Sequence, residues 1–279
     1  MTRQSVWRWL KFYDRAVVVL VSGFLLWSGI RTGWIGSTVS DKPIVATVQT
    51  SEASHTVAPA QDVEQKPQPH IKPDYILPAA SEGSIPVLNR IPTEEKVVFL
   101  TLDDGLVRKP ETQEILQQYG IKAPMFLNDE YVKAEPPYFK KLLQQGMTIG
   151  SHTVDHADLT TLEYDAQVTE ICTNADTIER ELGVQPTLFR PPYGSYDANT
   201  VRAAAACGMR ALVMWSAKAN GGSMQYQDDH TGLVPGDIVL MHFREEFADD
   251  FKAFMEAAEQ ADLQPVSLDE WLRTDTTAP

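Results

Sequence analysis

The chain has 279 residues, enough for one or two domains, and its mix of apolar, aromatic and charged side chains excludes wholesale disorder. Asp and Glu number 38 against 24 Lys and Arg, a net charge of −14 that excludes a nucleic-acid binder built on a basic face. The charge is unevenly placed: residues 1–36 hold Arg3, Arg8, Lys11, Arg15 and Arg31 against Asp14, a net of +4, which leaves −18 on the rest.

Ala16 to Ile30 is uncharged, and extending it to Gly36 gives a segment near the ~20 residues that span a bilayer as a helix. The basic flank precedes it, so the positive-inside rule puts the N-terminus in the cytoplasm and the remainder outside. A single-pass anchor in a bacterial plasma membrane is the preferred reading of residues 1–36. A cleaved signal peptide, which would release the protein, is the competitor, and a soluble core helix comes third. Between Pro59 and Pro92 lie seven prolines among Gln, Ser, Glu and Lys, so residues 37–92 read as a flexible Pro-rich linker. Its last part, Tyr75–Leu77 and Ile85–Leu88, is apolar enough to lie against a folded body. That body is expected over 93–274, with a tail at 275–279.

The body alternates apolar runs with helical patterns. Lys96–Leu102 is a buried strand ended by Asp103-Asp104-Gly105. A helix opens at Pro110 and closes at Gly120. Strands follow at Ala123–Leu127, Met147–Gly150, Thr187–Phe189, Arg210–Trp215, Asp237–Met241 and near Pro265–Leu268. Helices fall at about Pro137–Gln145, Leu162–Leu182, Asn199–Cys207 and Asp249–Ala261. This order implies an α/β fold with a parallel sheet, and six to eight such units commonly close into a barrel. Polar clusters end strand after strand, where a barrel of this kind builds its active site.

Those clusters are the candidate site. His152 and His156 are four apart, a spacing at which two imidazoles can face one ion, although two surface histidines would look the same. Asp103-Asp104 could be a strand-end turn, or one carboxylate could ligate a metal while the other serves as general base. Arg190 before two prolines could be a surface ion pair, and His242 a half-buried histidine. Their joint placement at strand ends favours chemistry.

The motifs T-L-D-D-G, H-T-V-D-H, R-P-P-Y-G and L-M-H resemble those of the polysaccharide deacetylases of the NodB-homology type, carbohydrate esterase family 4, over about residues 93–274. The resemblance implies a distorted (β/α) barrel of the NodB type and a metal-dependent hydrolase that removes N- or O-acetyl groups from an envelope polysaccharide, peptidoglycan or a related glycan. It implies that Asp104, His152 and His156 hold Zn2+, or another divalent ion such as Co2+ or Ni2+. It makes Asp103 the base, Arg190 its orienting partner and His242 the acid. Tyr193 would offer a backbone N–H to the oxyanion, and Trp215 and Leu240 would line the acetyl pocket. The expected partners are an acetylated glycan and, through the N-terminal helix, the membrane; a monomer is expected.

The chain departs from the family after the pocket Trp. Lys218 and Gly221-Gly222 stand where many members have Asp and Asp-Trp, and the second of those aspartates supports the acid His. Leu102 replaces a usual Phe, and Phe243 follows the acid where Asp is frequent. A non-catalytic glycan-binding protein that keeps the barrel and metal site is therefore the alternative. No G-x-S-x-G elbow suggests a serine nucleophile. Cys172 and Cys207 fall in predicted helices; two buried thiols is the preferred reading, with a disulfide open to an exported body.

Overall fold

The computed structural model describes residues 71–80, 83–227 and 229–272. The helix expected at 16–36, most of the linker and the 275–279 tail lie outside the described residues. Among the described residues, no helix is long and apolar enough to cross a membrane. The chain divides into Met1–Val63 and Glu64–Pro279, and the second unit holds every described residue.

In chain order the elements are β1 (Val87–Leu88), β2 (Val97–Asp104), α1 (Pro110–Gln118), β3 (Pro124–Leu127), α2 (Asp129–Ala134), α3 (Pro136–Gln144), β4 (Thr148–Ser151), α4 (Tyr164–Leu182), β5 (Leu188–Phe189), α5 (Ala198–Ala206), β6 (Ala211–Val213), β7 (Ala217–Asn220), β8 (Ser223–Tyr226), β9 (Ile238–His242), α6 (Phe247–Gln260), β10 (Gln264–Pro265) and α7 (Leu268–Trp271). The strand order is β1-β6-β5-β4-β3-β2-β9-β7-β8, with β10 beside the start of β2. All strand pairs are parallel except the β7–β8 hairpin.

The sheet curls into a half-barrel and does not close; β1 and β8 are its edges among the described residues. Counting strand–helix units suggests a closed ring, but no helix crosses over after β6. The chain instead leaves the sheet at Met214 and re-enters as the β7–β8 hairpin. Its turn, Gly221-Gly222, has φ of 61° and 72°, the paired left-handed geometry of a two-residue hairpin.

β2 is the central strand, and its two faces have different jobs. Val98, Leu100 and Leu102 pack with Leu116, Phe139, Leu142 and Phe254 of the covering helices. Val97 and Phe99 face the concave side with Leu88, Phe126 and Trp271. Alternation therefore points Thr101 and Asp103 into the concave interior. Pro110 at the first turn of α1 and Gly183 at φ 76° after α4 mark those helix ends as their residue types require.

Two findings change the expected organisation. Residues from the end of the predicted linker belong to the folded body: Leu77, Ile85, Leu88 and Ile91 are buried, and β1 extends the sheet through β6. Cys172 on α4 and Cys207 after α5 form a disulfide, not two free thiols. Packing of the two helices brings the Cα atoms to 5.0 Å, inside the range a disulfide spans.

Candidate active site and metal centre

Asp103 continues the inward face of β2, and next in a regular strand Asp104 would point outward to the helices. It does not, because its φ is 73°, left-handed and unusual for a residue with a side chain. That twist returns the second carboxylate to the cleft. Thr153, His156 and Tyr193 adopt φ of 71°, 55° and 61° in the loops that face it. Four such non-glycine residues around one cleft mark a site whose geometry is imposed by the fold.

Asp104 Oδ1 lies 3.6 Å from His152 Nε2 and 3.5 Å from His156 Nε2. Ligand atoms about 2.1 Å from a tetrahedral ion lie about 3.4 Å apart, so the spacing fits a bound metal ion. Asp104 Oδ1 is also buried without a hydrogen-bond partner, a costly state for a carboxylate oxygen unless a cation is to be met there. The three side chains form a cluster able to hold a metal ion. His152 is oriented from behind: its Nδ1 meets the Arg190 carbonyl at 2.7 Å, leaving Nε2 for the cleft.

Arg190 is fully buried, which overturns its reading as a surface ion pair. Its Nη1 donates to Asp103 Oδ1 at 2.7 Å and to Thr101 Oγ1 at 2.8 Å. Nε and Nη2 donate to the carbonyls of Val213 and Met214. Phe126 stacks 4.4 Å from the guanidinium, with Trp215 at 5.6 Å. Burial pushes Asp103 up to about 6 while Arg190 pulls the other way. Burial holds His152 down to about 4, so both imidazole and base have their ligating or proton-accepting forms near neutral pH.

His242 ends β9 directly beside Asp103 of β2. Burial, then Arg244, His152, Arg190 and Lys218, hold its pKa down to about 3. The direction is that expected when the supporting carboxylate is missing. Asp197, in the loop before α5, does not supply it: its carboxylate caps α5 through Thr200. A side chain at Gly221 would enter open space. Tyr193 is exposed, with its ring edge-on to His156 at 4.6 Å. Trp215 and Leu240 line the same cavity of about 250 Å³ that holds Asp103, Asp104 and His242.

Eight of the nine residues singled out in the sequence line one cleft, and the ninth, Arg190, is buried behind it against Asp103. Missed were the residues beneath the cleft. Asn128 donates to the carbonyls of His152 and Thr153. Asn174 accepts from the His152 N–H and donates to buried Asp129, which Thr177 also meets. Glu170 accepts the N–H groups of Val154 and Asp155. Glu170, Asn174 and Thr177 are spaced 4 and 3 apart on α4, so polar residues at helical period on a face that should be apolar were the available signal.

Residues 90–212 match the family model described as polysaccharide deacetylase. An uncharacterised protein of Streptomyces coelicolor is 38% identical over 159 residues, 56% of this chain and 63% of that one. A peptidoglycan-N-acetylglucosamine deacetylase of Bacillus cereus is 30% identical over 158 residues, 54% of this chain and 57% of the relative. The chain thus covers less than two thirds of either relative's length. Among solved structures, the Bacillus subtilis family 4 carbohydrate esterase PdaA superposes with a TM-score of 0.56 at 22% identity, over 66% of this chain and 84% of that one. A family 4 pseudoenzyme from Bacillus anthracis gives 0.58 at 22% identity, over 66% and 68%. Over residues 90–212, the chain is therefore similar to the polysaccharide deacetylase family.

Proposed function

We propose that this protein is a metal-dependent hydrolase that removes acetyl groups from N-acetylated glycans of the cell envelope, with peptidoglycan as the leading substrate. One observation carries the reading: the buried, unbonded Asp104 carboxylate oxygen faces two imidazole nitrogens at 3.5–3.6 Å, beside a second carboxylate held by a buried Arg. Asp104, His152 and His156 would hold a divalent ion, which would supply a water of lowered pKa and charge support for the reacting carbonyl. Asp103 accepts a proton from the attacking water, and Arg190 keeps its carboxylate aimed at the cleft. The Tyr193 backbone N–H is offered to the carbonyl oxygen as charge develops there. His242 gives a proton to the departing nitrogen; with a resting pKa near 3 it must gain that proton during turnover, as negative charge grows opposite it.

Export with an N-terminal membrane anchor belongs to the same proposal, and the Cys172–Cys207 disulfide supports it, since such bonds persist outside the reducing cytoplasm. A non-catalytic glycan-binding role is the second reading, favoured by the cations that surround His242 where a carboxylate would aid it. Acetate release from peptidoglycan, chitin oligomers and acetylated xylan, measured in parallel with and without chelator, tests both. Release that stops with chelator and returns with zinc is expected. Binding of a glycan without any release would favour the second reading.

A further inference from the structure

Two cations stand in the catalytic cleft without a carboxylate ion pair among the described residues. Lys218 on β7 and Arg244 just beyond β9 line the cavity that also holds Asp103 and His242. Their placement follows from register. Lys218 pairs with Leu240, and His242 lies two residues further along β9, so all three share one face. Asn220, two residues beyond Lys218, accepts a hydrogen bond from Arg244 Nη1 at 3.1 Å. One edge of the guanidinium is thereby anchored to the hairpin, and the residue lines the cleft.

In a body this acidic, cations are readily neutralised: Lys96 pairs with Asp262, Lys109 with Glu245 and Lys252 with Glu256. Lys218 and Arg244 have no carboxylate at ion-pair distance among the described residues, although Arg244 is near enough to Asp103, Asp104 and Asp250 to favour their charged forms. The other side of the cleft has the opposite sign: Glu130 and Asp155 lie along the groove that leads to His156, and the one Lys there, Lys133, is paired with Asp129. The cleft is therefore polarised, positive on the β7–β9 wall and negative on the α2 side.

Resting on the deacetylase reading, we propose that Lys218 and Arg244 form a carboxylate-recognising wall, so that the preferred substrate is an N-acetylated glycan bearing a carboxylate on the reacting sugar or its neighbour. The cavity is about 250 Å³, so a carboxylate on this wall lies within about one sugar of the acetyl group undergoing hydrolysis. A guanidinium edge and an ammonium supply the charge-assisted hydrogen bonds that a carboxylate accepts.

The test compares three oligosaccharides on the zinc-loaded full chain: a neutral N-acetylglucosamine oligomer, the same oligomer with a carboxylate ether on alternate sugars, and the latter with its carboxylates capped as neutral methylamides. Binding by calorimetry and acetate release are both measured. The carboxylate form should bind roughly tenfold more tightly than the capped form, the advantage appearing in KM. Raising salt from about 0.05 to about 0.5 M should erode it. Lys218→Gln with Arg244→Gln should bring the ratio of the two forms close to one, and Lys218→Arg should restore most of the preference lost in Lys218→Gln. Taking a ratio at fixed pH cancels any effect of these substitutions on His242. Equal binding of the charged and capped forms by the unaltered chain would overturn the proposal while leaving the deacetylase reading intact. Carboxylate-selective binding without acetate release from any substrate would support the wall and overturn that reading.

Discussion

On the β2–β4 side of the cleft the reactive groups are held from several directions. Asp103 is gripped by Arg190, His152 is fixed through both ring and backbone, and the 153–156 loop is tied to α4 by Glu170 and to β3's end by Asn128. On the β7–β9 side, no hydrogen bond holds the His242 imidazole among the described residues, and Arg244, Arg190 and Lys218 act on it to lower its pKa. The first wall is preorganised and should punish any change. The second is adjustable, and changes there should alter preference and pH response before they abolish function.

The largest effect should follow from the base. Asp103→Asn preserves shape but cannot take a proton, so turnover should fall by roughly 10² to 10⁴ while zinc affinity by calorimetry is retained. Loss of zinc in this variant, with retention in Asp104→Asn, would reverse the two assignments. His152→Ala should lose the metal itself. Arg190→Met leaves Asp103 buried without its partner, and the denaturation midpoint should report a loss of roughly 3–5 kcal/mol.

Removing the disulfide with Cys172→Ser and Cys207→Ser frees a loop 35 residues long in the unfolded chain. A loss of about 2–4 kcal/mol in unfolding free energy is expected, with little change in the metal site. Asn174→Ala acts on the same wall from below: it strips a buried hydrogen bond from the His152 N–H and should weaken zinc binding by roughly 10- to 100-fold. A variant as tight as the original would show that the loop needs no support from α4.

The smallest effect belongs to the adjustable wall. Asp103 must be deprotonated to act, so the rate should rise as pH increases through its pKa near 6. His242 gains its proton during turnover, so any change that raises its pKa favours the protonated acid and extends activity to higher pH. Arg244 and Lys218 push that pKa down. Arg244→Gln should therefore shift the basic limb up by a fraction of a pH unit, read from the pH dependence of kcat. Gly221→Asp should do much less, since a side chain there enters open space.

The strand ends and their polar residues were legible because each couples a β-branched apolar run to a polar motif: VVFLTLDDG, HTVDH and RPPYG stand out without any alignment. The β7–β8 hairpin was not, since Ala-Lys-Ala-Asn is a poor strand by composition and only its small residues pack inward. Its Gly-Gly turn was the readable signal. β1 was masked by the prolines around it, whose burial depends on pairing with β6 more than 120 residues later. The disulfide was illegible for a related reason: two cysteines within helices reveal nothing about which helices pack together. Arg190 had two readings because sequence shows a charge but not its surroundings, and here every donor direction is filled by the interior.

The pairing of β2 with β9 sets the order in which this molecule can become complete. Thr101 Oγ1 bonds the carbonyl of Val239, 138 residues later. Until that segment arrives, one edge of the longest strand among the described residues offers unpaired N–H and C=O groups to any passing chain. Such long-range closure is slow, because the entropy of a large loop is lost before the pairing rewards it. Asp103 shares this dependence, since its strand position is fixed on that side by His242. A chain emerging from its N-terminal end therefore carries the metal ligands early but gains its acid, and the β9 edge of this strand, together and late, with only β10 joining β2 afterwards.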